Sequence, residues 1–147
     1  MNPTEKTSHE LLHILLVEDD DGDAKAIERA FKKIQIVDRI VRAIDGIEAL
    51  ELLKGSNGKT KLKDPGIFLV DLNMPRMNGI QFVQAVRADE DLRRSIVFIL
   101  TTSKRDEDKM AAYDLNVAGY ITKATAAVDF MNLVNLMGLY GEVVELP

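Results

Sequence analysis

The stretch GIFLVDLNMPRMNG, residues 66–79, predicts a buried strand that ends on Asp71 and a turn that follows it. Its apolar residues form a nearly continuous run, which is typical of a parallel strand covered on both faces. Pro75 and Gly79 prevent this strand from continuing. We therefore expect the Asp71 carboxylate at the rim of a sheet, accessible to a ligand.

Short apolar runs alternate with helical patterns along the rest of the chain. Strands and helices that alternate at this pace predict one parallel sheet with right-handed crossovers and helices on both faces, a doubly wound α/β fold. The predicted strands occupy residues 13–17, 39–44, 66–71, 95–100 and 118–122.

Caps and apolar periods indicate where the helices begin and end. Asp45 is expected to cap the second helix, which should stop at Gly55. Asp106 is expected to open the fourth helix, which should run through Leu115. The last helix is predicted over residues 125–138.

Length and composition predict one cytoplasmic domain. The chain has 147 residues, 46% of them hydrophobic and 29% charged, enough for one sizeable core. It has no cysteine, which excludes a disulfide framework, and no apolar run near the ~18 residues of a membrane span. A net charge of -5 disfavours a nucleic-acid surface. We divide the chain into a polar tail (1–12), a domain (13–140) and a C-terminal arm (141–147).

Polar residues come at the carboxyl ends of several predicted strands, where open α/β sheets bind ligands. Alone, each has an ordinary explanation: a solvated acidic loop, strand threonines or a surface lysine. Together, neighbouring carboxylates repel one another, and Mg²⁺ relieves that repulsion. A lysine at the same rim could pair with a carboxylate or a phosphoryl oxygen. These residues are Glu18, Asp19, Asp71, Thr101 and Lys123.

Four segments, ILLVEDD, LVDLNMPRMNG, FILTTS and GYITK, resemble the signature positions of response-regulator receiver domains, the family of CheY. The resemblance implies a five-stranded flavodoxin-like fold in which Asp71 accepts a phosphoryl group from a histidine kinase. It also implies a Mg²⁺ site that includes Asp71, in which Asp19 binds directly, Glu18 binds through water and Asn73 contributes its backbone carbonyl.

The same resemblance implies a switch. Thr101 would hydrogen-bond the phosphoryl group, Lys123 would neutralise it, and Tyr120 would turn inward as Thr101 shifts. Such a domain catalyses only its own phosphorylation and dephosphorylation. One position departs from the family pattern, because Ala124 follows Lys123 where proline is usual. A non-proline cis bond costs ~2.5 to 4 kcal/mol, so the Lys123–Ala124 bond is expected to be trans unless the fold enforces cis.

The last helix carries two apolar stripes, although covering a sheet requires only one. We therefore expect a homodimer through this helix and the C-terminal arm, whose VVEL segment has strand-like content. The alternative is a broad core contact. The candidate interface residues are Phe130, Leu133, Val134, Leu136, Met137 and Tyr140.

Several loops and the ending GEVVELP are similar to stand-alone receivers that serve bacterial and cyanobacterial phytochrome kinases. This likeness implies a red-light-sensing histidine kinase as the phosphoryl donor and a dimer through the last helix and tail. Because only the last helix and a tail follow Lys123, we expect output by protein contact, with no nucleic-acid or membrane partner.

Three other functions would use parts of the same pattern. An aspartate-dependent phosphohydrolase would have a second Asp where Asn73 stands. A nucleotide or flavin binder would need a Gly-rich or hydroxyl-rich loop after the first strand, and EDDDGD would repel phosphate. A phosphorylation-independent adaptor would not need the acidic cluster.

Overall fold

Five parallel strands form a single sheet between two layers of helices. The computed structural model describes residues 12–34, 37–62 and 66–144. The strands are β1 (Leu12–Val17), β2 (Val37–Ala43), β3 (Ile67–Asp71), β4 (Ile96–Thr101) and β5 (Gly119–Thr122). The helices are α1 (Asp21–Phe31), α2 (Gly46–Lys54), α3 (Gly79–Ala88), α4 (Lys104–Ala111) and α5 (Ala126–Val144), with a 3₁₀ turn at Lys123–Thr125. The strand order is β2-β1-β3-β4-β5, which confirms the predicted doubly wound fold. None of the helices in these ranges is long and apolar enough to cross a membrane.

The apolar strands bury alternate residues on opposite faces of the sheet, as the two-residue period of a strand requires. Leu15 and Val17 of β1 pack in the core beneath α2, α3 and α4. Ile14 and Leu16 pack in the second core, beneath α1 and α5. Both faces are therefore covered, and the strand ends are left as the exposed edges.

Helix α4 begins earlier and ends earlier than predicted. Ser103 is its N-cap, and the helix covers Lys104–Ala111. Asp106 lies within the first turn, where its carboxylate accepts a hydrogen bond from the Thr102 amide at 3.0 Å. Left-handed backbone at Asp114 (φ 47°) and Asn116 (φ 53°) is incompatible with a continuing helix, so Leu115 lies in the loop.

Helix α5 continues past Gly138 to Val144, so its predicted end is wrong, and residues 141–144 are helical rather than strand-like. An internal glycine costs a helix only ~1 kcal/mol, which is not enough to end it. Of the predicted tail, only Leu12 is described, and it belongs to β1. Residues 1–11 and 145–147 lie outside the described residues.

Arg87, near the end of α3, joins two loops at the amino-terminal edge of the sheet. One loop precedes β4 and the other precedes β5. The guanidinium donates hydrogen bonds of 2.7–2.9 Å to the carbonyls of Arg93, Ser95, Leu115 and Asn116.

Candidate functional site

Three predicted carboxylates meet at the carboxyl-terminal edge of the sheet. Glu18 and Asp19 follow β1, and Asp71 ends the neighbouring β3. One oxygen from each side chain lies within 4.8 Å of the others. Glu18 and Asp71 are buried, whereas Asp19 is exposed to solvent. Strand order reverses at β1 and β3, the position at which doubly wound sheets bind ligands.

Local backbone contacts fix the two loops that carry these carboxylates. Asp20 caps α1 by accepting a 2.7 Å hydrogen bond from the Asp23 amide. After β3, the Gly79 amide donates to the Leu72 carbonyl at 3.0 Å. A Cβ at position 79 would collide with the backbone carbonyl of Asp71 and come within 2.8 Å of the Leu72 Cα. Glycine is therefore required where α3 begins against the end of β3.

Lys123 is enclosed by carboxylates from three elements. Its Nζ lies 2.7 Å from Glu18 Oε1 and 3.4 Å from Asp71 Oδ2. A third carboxylate, Asp23 Oδ2 of α1, lies 3.0 Å from the same atom. The Lys123–Ala124 bond is trans. The lysine thus reaches the predicted phosphoacceptor without the proline that is usual in the family.

Burial shifts the ionisation of the two inner carboxyl groups. Desolvation raises the pKa of Glu18 to about 7, against the hydrogen bond from Lys123 and with the help of nearby Asp71. Desolvation also raises the pKa of Asp71, although Lys123, Glu18 and the Asn73 amide oppose it. Burial alone lowers the pKa of Lys123, but Glu18, Asp23 and Asp71 raise it well above its ordinary value. These pKa shifts favour the ammonium form of Lys123 and disfavour a negative charge on both buried carboxyls at once.

Thr101 and Tyr120 lie on the adjacent strands β4 and β5. Thr101 ends β4 and is buried. Tyr120 pairs in register with Ile99 and is half-buried against the core under α2, α3 and α4. Burial, together with Glu107 and Asp108, raises the pKa of the Tyr120 hydroxyl. This arrangement is compatible with the predicted switch, and the roles of Thr101 and Tyr120 in that switch stay predictions.

Sequence reasoning missed two residues of this site. Asp23 holds Lys123, as described above. Arg42 donates from Nε to the Glu18 carbonyl at 2.9 Å and from Nη2 to the Asp19 carbonyl at 3.1 Å. Its only sequence signal is a basic residue near the end of an apolar strand.

The predicted interface residues fall into three groups. Phe130 is completely buried, with ring centroids 4.9 Å from Phe31 and 5.8 Å from Phe98. The interface prediction is wrong for Phe130, because its side chain lies inside the core under α1 and α5. Leu133 is half-buried against the same core, and Leu136 is 67% exposed. The side chains of the other three lie outside the described residues: Val134, Met137 and Tyr140.

An acidic cluster beside an ammonium and a buried hydroxyl, at the switch point of a five-stranded parallel sheet, defines a CheY-like class of protein. Residues 14–135 match the family model of the response regulator receiver domain. The chain belongs to this family and is a receiver domain of two-component signalling.

Three relatives indicate which response regulators this chain resembles. Response regulator Rcp1 of Synechocystis sp. is 31% identical over 91% of this chain and 92% of its own length, and one of its structures is a Mn²⁺-bound form. The bacteriophytochrome response regulator AtBRR is 32% identical, with a TM-score of 0.79 over 88% of this chain and 94% of its own. The phosphorylated cyanobacterial phytochrome response regulator RcpA is 28% identical, with a TM-score of 0.69 over 93% of this chain and 96% of its own.

Proposed function

We propose that this receiver accepts a phosphoryl group on Asp71 from a histidine kinase, with Mg²⁺ bound, and signals in the cytoplasm through protein contacts. The observation that carries the proposal is the position of Lys123 Nζ, 3.4 Å from Asp71 Oδ2, beside three carboxylates that could hold a cation. Its only catalysis would be its own phosphorylation and dephosphorylation.

The donor set suits Mg²⁺, because it consists of oxygen atoms and includes two buried carboxyls with raised pKa values. Glu18, Asp19, Asp71 and the Asn73 carbonyl would hold the ion. When bound, Mg²⁺ supplies positive charge to the carboxylates and to the phosphoryl oxygens.

The chain's own residues would carry the transfer. An Asp71 oxygen attacks phosphorus as the P–N bond of a phosphohistidine breaks, and the imidazole leaves. Lys123 neutralises the phosphoryl oxygens, and the Thr101 hydroxyl donates a hydrogen bond to one of them. Attack of water on the acyl phosphate later returns the Asp71 carboxylate and inorganic phosphate.

The test is an intact-mass measurement after incubation with acetyl phosphate and Mg²⁺. We expect a gain of one phosphoryl group that is lost in Asp71→Asn and in chelator. Thr101→Ser is a control that keeps the hydroxyl. Absence of an adduct, with Mg²⁺ binding intact, would refute the proposal and favour a phosphorylation-independent adaptor.

We propose a phytochrome-type histidine kinase as the donor. Support comes from AtBRR and RcpA, whose names associate them with bacteriophytochrome and phytochrome. A phosphorylated phytochrome kinase should transfer its phosphoryl group to Asp71 faster than a phosphorylated chemotaxis kinase does. Equal or slower transfer would contradict this choice of partner.

We also propose a homodimer through α5, supported by the 67% exposure of Leu136. Light scattering across a dilution series should show a dimer that Leu136→Glu weakens. Ile44→Glu, at a residue that is 47% exposed and remote from α5, is the matched control. Monomer alone at micromolar concentration would refute the dimer.

A further inference from the structure

Arg42 lies on β2, one of the two edge strands of the sheet, and reaches across the end of β1. It pairs in register with Leu16, whose side chain packs under α1. Residues in register on parallel strands share a face, so Arg42 projects toward α1. Its side chain is only 19% exposed.

The guanidinium contacts two carbonyls of the loop after β1 and the side chain of the first residue of α1. Nε and Nη2 donate to the carbonyls of Glu18 and Asp19 at 2.9 and 3.1 Å. Nη1 donates to Asp21 Oδ1, at the start of α1, at 2.7 Å. A guanidinium is a rigid planar fork, so these contacts fix the direction of two successive peptide groups.

We propose that Arg42 is a positioning residue for the cation site. By holding the Glu18 and Asp19 carbonyls, it keeps the carboxylates of both residues turned toward Asp71. This inference rests on the proposed function, because it concerns the same Mg²⁺ site. Residues that orient ligands from outside a metal site typically change metal affinity 10- to 100-fold when they are lost.

Charge and geometry predict opposite effects of removing Arg42. A nearby positive charge repels Mg²⁺, so loss of the charge alone would tighten binding. Loss of the fork would let the loop relax and would weaken binding. Arg42→Met removes both the charge and the fork, whereas Arg42→Lys keeps the charge and removes the fork.

The experiment is a calorimetric titration of the whole chain with Mg²⁺, compared with Arg42→Lys, Arg42→Met and Asp21→Ala. We expect about tenfold weaker binding in Arg42→Met and a change in the same direction in Arg42→Lys. Asp21→Ala keeps both carbonyl contacts, so its affinity should change about twofold or less. Circular dichroism in the presence of a chelator checks that each variant folds. If Arg42→Met does not fold, the affinity of Arg42→Lys alone decides the test.

Three outcomes separate this inference from the proposed function. Unchanged binding in Arg42→Lys, with tighter or unchanged binding in Arg42→Met, would overturn the positioning role alone. Asp21→Ala weakening as much as Arg42→Met would also overturn it, because the exposed ion pair would then account for the effect. A wild-type chain that neither binds Mg²⁺ nor gains mass with acetyl phosphate would overturn the proposed function as well.

Discussion

Replacing Phe130 with alanine should strongly destabilise the fold, because this side chain fills the core between α1, α5 and β4. It is completely buried and makes ring contacts with Phe31 and Phe98. Truncating a buried phenylalanine to alanine costs about 3–5 kcal/mol. For a domain of this size each kcal/mol lowers the melting temperature by roughly 2–4 °C, so we expect a fall of about 6–20 °C.

Val128→Ala is the matched control on the same helix. Val128 is 62% exposed and is not among the proposed dimer contacts, so the free energy of unfolding should change by no more than about 0.5 kcal/mol. The chain has no tryptophan, and urea unfolding is therefore best followed by far-ultraviolet circular dichroism. A cost below about 1 kcal/mol for Phe130→Ala, or an equal cost for both variants, would refute the assignment of Phe130 to the core.

Three further predictions concern stability around the site. Burial alone raises the pKa of Asp45, but Arg76, 2.6 Å away, and helix amides hold it below its ordinary value. The stability that Asp45 contributes is present above about pH 4 and is lost as the pH falls through the lowered pKa. The free energy of unfolding in urea should therefore decrease less steeply from pH 7 to pH 3 in Asp45→Asn than in the unmodified chain, and equal slopes would contradict this. Gly79→Ala should destabilise by about 1–3 kcal/mol or more, whereas Gly66→Ala, with nothing within 4 Å of its added Cβ, should be neutral or stabilising in the same assay. Mg²⁺ at ten times its Kd should stabilise the chain by about 1.4 kcal/mol and raise the melting temperature by roughly 3–6 °C; Asp19→Asn should remove most of this rise, and an undiminished rise would place the ion elsewhere.

The sequence predicted the strands and the centre of the site, because parallel strands that alternate with helices must bring their carboxyl ends to one edge. That rule places Glu18, Asp71 and Lys123 together without any knowledge of distances. It does not give the register between neighbouring strands. Arg42 reaches β1 only because it pairs with Leu16, and no pattern within β2 specifies that partner.

Helix α5 was harder to interpret for a different reason. Its two apolar stripes both satisfy helical spacing, so periodicity alone could not decide which one is buried. Phe31 and Phe98 decide that Phe130 is buried, since their rings pack against its ring. The end of α5 was also misplaced, because Gly138 is a weak stop signal when no proline follows it closely.

The hydrogen bonds of Arg87 have a mechanical consequence for β4 and β5. The entrances of both strands are pinned to one guanidinium, while their exits carry Thr101 and Lys123. The two strands also pair in register from Phe98 and Gly119 to Thr101 and Thr122, so sliding one strand along the other would break both sets of hydrogen bonds. We therefore expect a change in the distance between Thr101 and Lys123 to come from local bending or twisting at the ends of the strands.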